Sequence, residues 1–301
     1  MPGPRRGRTA RAATVLRTER LTPSLVRVVV GGPGLNGFQR PTDTDAYVKV
    51  VFVHPDVVRP LPRVPAAPGE TDLVDLDAVR ALLPPEHAPR MRSYTVRAFD
   101  PDAVELTLDF VVHGDAGVAG PWAASARPGE EILLVGPGSG YTPDPSAGFH
   151  LMAGDLSALP AIAVTLEGLP EDATGWVVLE GHGPEDEVPL QAPAGVEVHW
   201  VHQGDDRPGA RLVETVRAFP WPSEDVQAFV HGEAAAVREL RRYLRLDRGM
   251  GLDRLSISGY WRAGVDDEGW RAGKRAWNAA IDESEQSGLA RPTVPETVTT
   301  R

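Results

Sequence analysis

No cysteine occurs anywhere in the chain, which removes disulfides, thiolate metal sites, iron–sulfur clusters and cysteine nucleophiles together. Any redox chemistry must come from a bound organic cofactor. Lysine is almost as scarce: among 31 basic residues only Lys49 and Lys274 are lysines. Against 42 acidic residues they leave a formal net charge of −11, and an acidic chain is a poor nucleic-acid binder. No stretch approaches the ~20 apolar residues of a membrane span, and no internal repeat occurs. The expected partner is therefore neither nucleic acid nor membrane.

Met1 to Ala13 carries Arg5, Arg6, Arg8 and Arg11 in the manner of a twin-arginine or mitochondrial signal. The polar run Leu16-Arg17-Thr18-Glu19-Arg20 stands where an apolar segment would have to follow. Residues 1–12 are read as a disordered basic arm on a cytoplasmic protein. Residues 287–301, with Pro, Thr and Glu and no periodicity, are read as a disordered tail.

The 301 residues leave room for two domains. Over 13–145 apolar residues alternate with period two, as in Val104-Glu105-Leu106-Thr107-Leu108-Asp109-Phe110, the mark of strands with one buried face. Comparable runs at Thr14–Leu21, Leu25–Val30, Ala46–Val53, Met91–Phe99 and Glu131–Val135 make six strands, and Gly and Pro turns between them suggest a small antiparallel barrel. His54 to Pro89 is Pro-rich, with one weakly helical stretch at Leu76–Leu83, and reads as a long excursion between two barrel strands. Over 146–286 strands and amphipathic helices alternate, as in a parallel sheet with crossovers. Asp266, Asp267 and Glu268 supply a cap and negative charge for a last helix.

Within Arg92-Ser93-Tyr94-Thr95-Val96-Arg97, strand alternation turns Arg92, Tyr94 and Val96 to one face and Ser93, Thr95 and Arg97 to the other. An aromatic face, a hydroxyl and a guanidinium on one strand suit a stacked ring carrying a pyrophosphate. The same hexapeptide also suits an ordinary strand with a cross-strand tyrosine. His113-Gly114-Asp115-Ala116-Gly117 and Gly120-Pro121-Trp122-Ala123 bring small residues that let backbone N–H groups approach a phosphate at a helix start. In Ala153-Gly154-Asp155-Leu156-Ser157-Ala158-Leu159-Pro160-Ala161-Ile162, Asp155 or Ser157 is placed to cap a helix whose amino terminus could meet a cofactor. Arg238, Arg241 and Arg242 either solvate a helix or meet dinucleotide phosphates. His199 and His202, three apart on a strand, point to opposite faces, so no metal site is expected there. Trp261, Trp270 and Trp277 are read as packing residues.

These segments, with Gly232-Glu233-Ala234 and Gly259-Tyr260-Trp261-Arg262-Ala263-Gly264, resemble in order those of the siderophore-interacting family of the ferredoxin-reductase superfamily. The resemblance implies a β + α/β two-domain fold, a six-stranded antiparallel Greek-key flavin-binding barrel followed by a nicotinamide-binding domain with a carboxy-terminal helix. It implies FAD held by Arg92, Ser93, Tyr94, Thr95, Arg97, Asp109, Val111, His113, Gly117, Ala119, Trp122, Asp155, Ser157 and Ala158. It further implies NADPH or NADH as electron donor, with ferredoxin as an alternative. A ferric siderophore would be met by Lys49 and Arg262, by a monomer with no catalytic side chain of its own. The rival readings are a general NAD(P)H-flavin or ferredoxin-linked oxidoreductase and a non-catalytic siderophore carrier.

Overall fold

The computed structural model describes residues 8–65, 71–114, 117–222 and 225–289. The amino-terminal half contains β1 (Thr9–Thr22), β2 (Leu25–Gly31), β3 (Tyr47–Phe52), β4 (Arg63–Val64), β5 (Leu73–Asp75), α1 (Leu76–Ala81), β6 (Arg90–Thr95), β7 (Ala98–Asp100), β8 (Glu105–Val111), α2 (Ala119–Ser125) and β9 (Glu131–Gly138). They form one antiparallel sheet of order β6-β3-β9-β1-β2-β8-β7, with β5 on β1 and β4 on β5. Alternation sends Val28, Val30, Val48, Val50, Val96, Leu106, Leu108 and Phe110 into a single apolar interior.

Among the described residues nine strands replace the expected six. The run Met91–Phe99 is two strands, because the Val96 N–H donates to Ala46 and the Arg97 N–H to Thr107. The chain thereby leaves β3 and joins β8, which turns the barrel corner. The excursion supplies β4 and β5 as well as α1, whose start is capped by Asp75 accepting the Asp77 and Ala78 N–H groups, each at 3.0 Å. Val57, Leu61, Val74, Leu76 and Val79 of this excursion bury against Val51 and Leu133.

The expected arm and tail fall mostly outside the described residues, and their inner ends differ from expectation. Thr9 and Ala10 pair with β5 and Arg11 to Thr14 with β9, so strand pairing claims residues assigned to the arm. At the other end the last helix runs past 286 to Leu289.

In the second half β10 (Phe149–Asp155), α3 (Leu159–Gly168), β11 (Thr174–Gly181), β12 (Gly195–His202), α4 (Ala210–Ala218), β13 (Val226–Glu233), α5 (Ala234–Arg242), β14 (Leu255–Trp261) and α6 (Asp267–Leu289) follow. The sheet is wholly parallel, of order β12-β11-β10-β13-β14. Helices α4 and α5 cover one face over Leu151, Val178, Ala228 and Val230. Helix α3 covers the other, and every residue from Leu159 to Leu166 is buried because Leu25 and Tyr141 of the barrel close over the same cluster. Asp186 adds polar stitching between the halves, accepting the Thr22 hydroxyl at 3.0 Å and the Ser24 N–H at 3.2 Å.

Helix α6 begins where Asp266 accepts the Gly269 N–H at 2.8 Å. Trp270 is buried and donates its indole N–H to the Tyr260 carbonyl at 3.1 Å. Farther along, Glu285 and Asp282 take Arg241 of α5 at 2.6 and 2.7 Å. Arg241 is thus held by the chain's own carboxylates rather than left for a ligand.

Candidate functional site

Strand β6 lies at the sheet edge. Its register with β3 sets Tyr94 opposite Val48 and Arg92 opposite Val50, toward the interior, and sets Ser93 opposite Lys49 and Thr95 opposite Tyr47 on the outside. The Tyr94 ring lies 4.1 Å from Phe110, and Phe110 lies 5.4 Å from Trp122 of α2. An aromatic wall therefore joins β6 to the start of α2. Burial pushes the Tyr94 hydroxyl pKa up, reinforced by Asp267 and opposed by Arg92, so the phenol stays neutral.

The approach to α2 is built from glycine. Gly114 and Gly117 have φ of 54° and 80°, a left-handed conformation that other residues adopt at a cost, and added side chains there would meet nothing within 4 Å. Asp115 and Ala116 lie outside the described residues. Val118 provides no side-chain cap, and among the described residues no other side chain caps the first amides of α2. His113 is exposed, Ala119 is buried and Gly117 is exposed. Uncapped amides next to an aromatic wall suit an anion attached to a flat ring.

Other expected contacts are taken up within the chain. Arg92 forks onto Glu268 at 2.7 and 2.9 Å and meets Asp267 at 2.9 Å, while Arg271 donates to the Met91 carbonyl at 2.7 Å. The first turns of α6 thus lie on β6. Arg97 forks onto Glu167 of α3 at 2.9 and 2.5 Å. Asp109 is buried and takes both arms of Arg27, each at 2.8 Å. Val111 packs into the cluster shared by the two halves. Arg97 and Asp109, both expected to meet the cofactor, are thus each held in an ion pair. Lys49 and the exposed Arg262 have no ion-pair or hydrogen-bond partner for their side chains among the described residues.

At the switch point of the parallel sheet, between the carboxyl ends of β10 and β13, ligands ordinarily enter such folds. Asp155 occupies this point. One of its oxygens accepts the Ser157 N–H at 2.9 Å and hydroxyl at 2.5 Å; the other accepts the Glu233 N–H at 2.8 Å and the Trp261 indole N–H at 2.7 Å. Gly232, at φ 140°, is what lets β13 pass, since a side chain there would strike the Asp155 carboxylate at 2.6 Å. Helix α3 starts at Ala158 without any side-chain cap. Asp155 and Ser157 are thus engaged with each other rather than capping α3, and Ala158 is buried.

Glu180, at the end of β11, accepts the Gly209 N–H at 3.1 Å while its other oxygen is buried without a partner. Burial pushes its carboxyl up to about 7 from 4.5, opposed by the Gly209 N–H. The unfolded chain releases this proton near the ordinary glutamate value and the folded chain holds it to about 7, so stability falls as pH rises through that window. Glu180→Gln is expected to raise unfolding stability by about 2 kcal/mol at about pH 8 and to change little at about pH 4. Urea midpoints at the two pH values measure this. An equal effect at both would show that the carboxylate charge is not responsible.

His199 and His202 bond to separate acids, Glu197 at 3.1 Å and Glu187 at 2.9 Å.

Residues 14–141 match the Siderophore-interacting FAD-binding domain and residues 147–264 the Siderophore-interacting protein domain. The chain belongs to the siderophore-interacting protein family. An uncharacterized protein of Mycobacterium tuberculosis is 46% identical over 93% of this chain and 98% of its own length. Ferric vibriobactin reductase ViuB of Vibrio cholerae is 33% identical over 85% of this chain and 90% of its own. The crystal structure of a siderophore utilization protein from T. fusca superposes with TM-score 0.72 at 34% identity, covering 86% of this chain and 94% of that one. The family's cofactor is FAD, and the aromatic wall with the bare amides of α2 fits it. The chain is thus a siderophore-related flavin oxidoreductase. Helix α6, which holds Arg92, lies beyond the matched residues.

Proposed function

We propose that the chain is an NAD(P)H-dependent ferric-siderophore reductase that releases iron(II) for cellular iron acquisition. The observation that supports this reading is that Lys49 on β3 and Arg262 just after β14 have no side-chain partner among the described residues, in a chain of net charge −11. Ferric catecholate and many ferric carboxylate complexes are anionic, and an acidic protein attracts them only through a local positive patch. The name of ViuB, a ferric reductase, points the same way.

Tyr94 with Trp122 would hold the flavin, with Ser93 and Thr95 placed on the outer face of β6. Gly117, Ala119 and the α2 amides would take its phosphates, with Arg92 once freed from α6. His113 would border the adenylate half. Bound FAD supplies the chemistry, accepting an electron pair from a pyridine nucleotide and passing electrons singly to iron(III). The chain's own residues bind, orient and exclude water, and none is required as nucleophile or general acid. Iron(II) binds hard oxygen donors more weakly and leaves the chelate.

Stopped-flow reoxidation of NADPH-reduced protein by ferric chelates, without oxygen, tests the reading. Lys49→Ala/Arg262→Ala is expected to slow reoxidation by an anionic catecholate about tenfold or more, from roughly 1 kcal/mol per charge. The loss should shrink at high salt. A neutral hydroxamate should be affected less, and flavin reduction by NAD(P)H should be unchanged. Equal losses with both chelates would remove these residues from the substrate site, and free flavin outcompeting every chelate would favour a general flavin reductase. A colourless protein with tight siderophore binding would make it a carrier.

A further inference from the structure

Outside the β6 site, one cluster of metal-ligating side chains stands where the excursion leaves and rejoins the barrel. His54 follows β3 and His87 precedes β6, and Asp56 lies between their rings' polar edges. Oδ2 of Asp56 is 3.3 Å from Nδ1 of His54 and 3.8 Å from Nδ1 of His87, and all three atoms fall within 4.8 Å of one another. Ligand atoms on neighbouring corners of a tetrahedron with bonds of about 2.1 Å stand about 3.4 Å apart, so both nitrogen-to-oxygen spans are close to a coordination edge. The imidazole rings stack with centroids 3.6 Å apart and planes 6° from parallel, so one ring has to turn for both to aim a nitrogen lone pair at the same ion.

A second observation concerns the His54 nitrogen itself. The Asp56 N–H donates to Nδ1 of His54 at 3.3 Å, which makes that nitrogen an acceptor. That nitrogen has a single lone pair, so the Asp56 N–H must release it before a cation can sit between it and the carboxylate oxygen 3.3 Å away. The imidazoles are about one-third exposed and the carboxylate two-thirds, leaving water free to complete the shell.

We propose that His54, Asp56 and His87 bind one first-row divalent transition-metal ion, closing the ends of the excursion against β3 and β6. Two imidazoles and one carboxylate suit iron(II), zinc or their neighbours and not magnesium, which prefers an all-oxygen shell. Drawing together chain segments far apart in sequence is where such a clip stabilises most. The site does not depend on the reductase reading, although iron(II) released nearby would be one source of its ion and cellular zinc another.

Titration calorimetry on the full chain, stripped with chelator, tests this with zinc chloride alone, with ferrous sulfate under anaerobic conditions, and with magnesium chloride. Saturable binding of one zinc per chain is expected, unaffected by excess magnesium. His54→Ala/His87→Ala should weaken it about 100-fold or more and Asp56→Asn about 10-fold or more, judged against the losses seen when even supporting residues of metal sites are removed. Should the double variant fail to fold, Asp56→Asn decides, because its side chain is exposed. Zinc and iron(II) binding together would make released iron a source, and zinc alone would make the site a structural clip. No saturable zinc binding, or binding unchanged in Asp56→Asn and the double variant alike, overturns the proposal.

Discussion

Replacing Asp155 by alanine is expected to lower unfolding stability by about 3–5 kcal/mol, enough to consume a large share of the margin of an ordinary domain. The substitution strands four donors: the Ser157 N–H and hydroxyl, the Glu233 N–H and the Trp261 indole N–H. Each fully buried donor left unsatisfied costs about 1–3 kcal/mol; these bonds are part-buried, and that of Trp261 exposed, so water recovers part of it. Burial pushes the Asp155 carboxyl pKa up while these four bonds pull it down, so the anion is tolerated because the site is saturated. Asp155→Asn should be destabilising too, since an amide N–H₂ must then face either the Ser157 donors or the Glu233 and Trp261 donors. Urea unfolding of the two variants measures the effect. A cofactor ligand would behave in the opposite way, leaving the unfolding midpoint in place and raising the KM for the nucleotide; that outcome would make Asp155 a cofactor contact rather than a structural one.

Asp155 illustrates what was legible in the sequence and what was not. Period-two alternation located the barrel strands and the change to β–α alternation located the parallel sheet, because burial of one face leaves its period in the local residues. The segments around Tyr94, Gly117 and Tyr260 were visible because short motifs carry backbone requirements. What escaped was pairing at long range. Arg97 and Glu167 are 70 residues apart, Arg27 and Asp109 82, and Arg92 and Glu268 176, and nothing in a local window says which carboxylate will meet which guanidinium. Asp267 and Glu268 were read only as a cap and favourable charge at a helix start. His54 and His87 escaped for the same reason, since the excursion that separates them hides their proximity. The strand count failed at Val96 and Arg97, where a continuous alternating run changes partner without any break in its apolar pattern.

Arg92 is where the largest change in cofactor affinity is expected. Its side chain is only 12% exposed and is held by two carboxylates of α6, in the place where the proposed function puts a diphosphate. Two anions compete for one fork of donors. Arg92→Ala should therefore weaken FAD by about 10- to 100-fold, the worth of charged hydrogen bonds of roughly 1.5–3 kcal/mol. Asp267→Asn/Glu268→Gln should act in the other direction. Glu268 is half-exposed and Asp267 less so, so the competing pairs are worth about 1–2 kcal/mol together, and FAD should bind about 5- to 30-fold more tightly. Equilibrium dialysis of flavin-stripped protein at low and high salt reads both effects, with circular dichroism confirming the fold. If α6 instead positions Arg92 for the cofactor, neutralising its acids would loosen FAD as Arg92→Ala does, and the two sets of substitutions would shift affinity the same way. Opposite signs would make the helix a competitor, and would mean that FAD binding has to lift the first turn of α6 from β6.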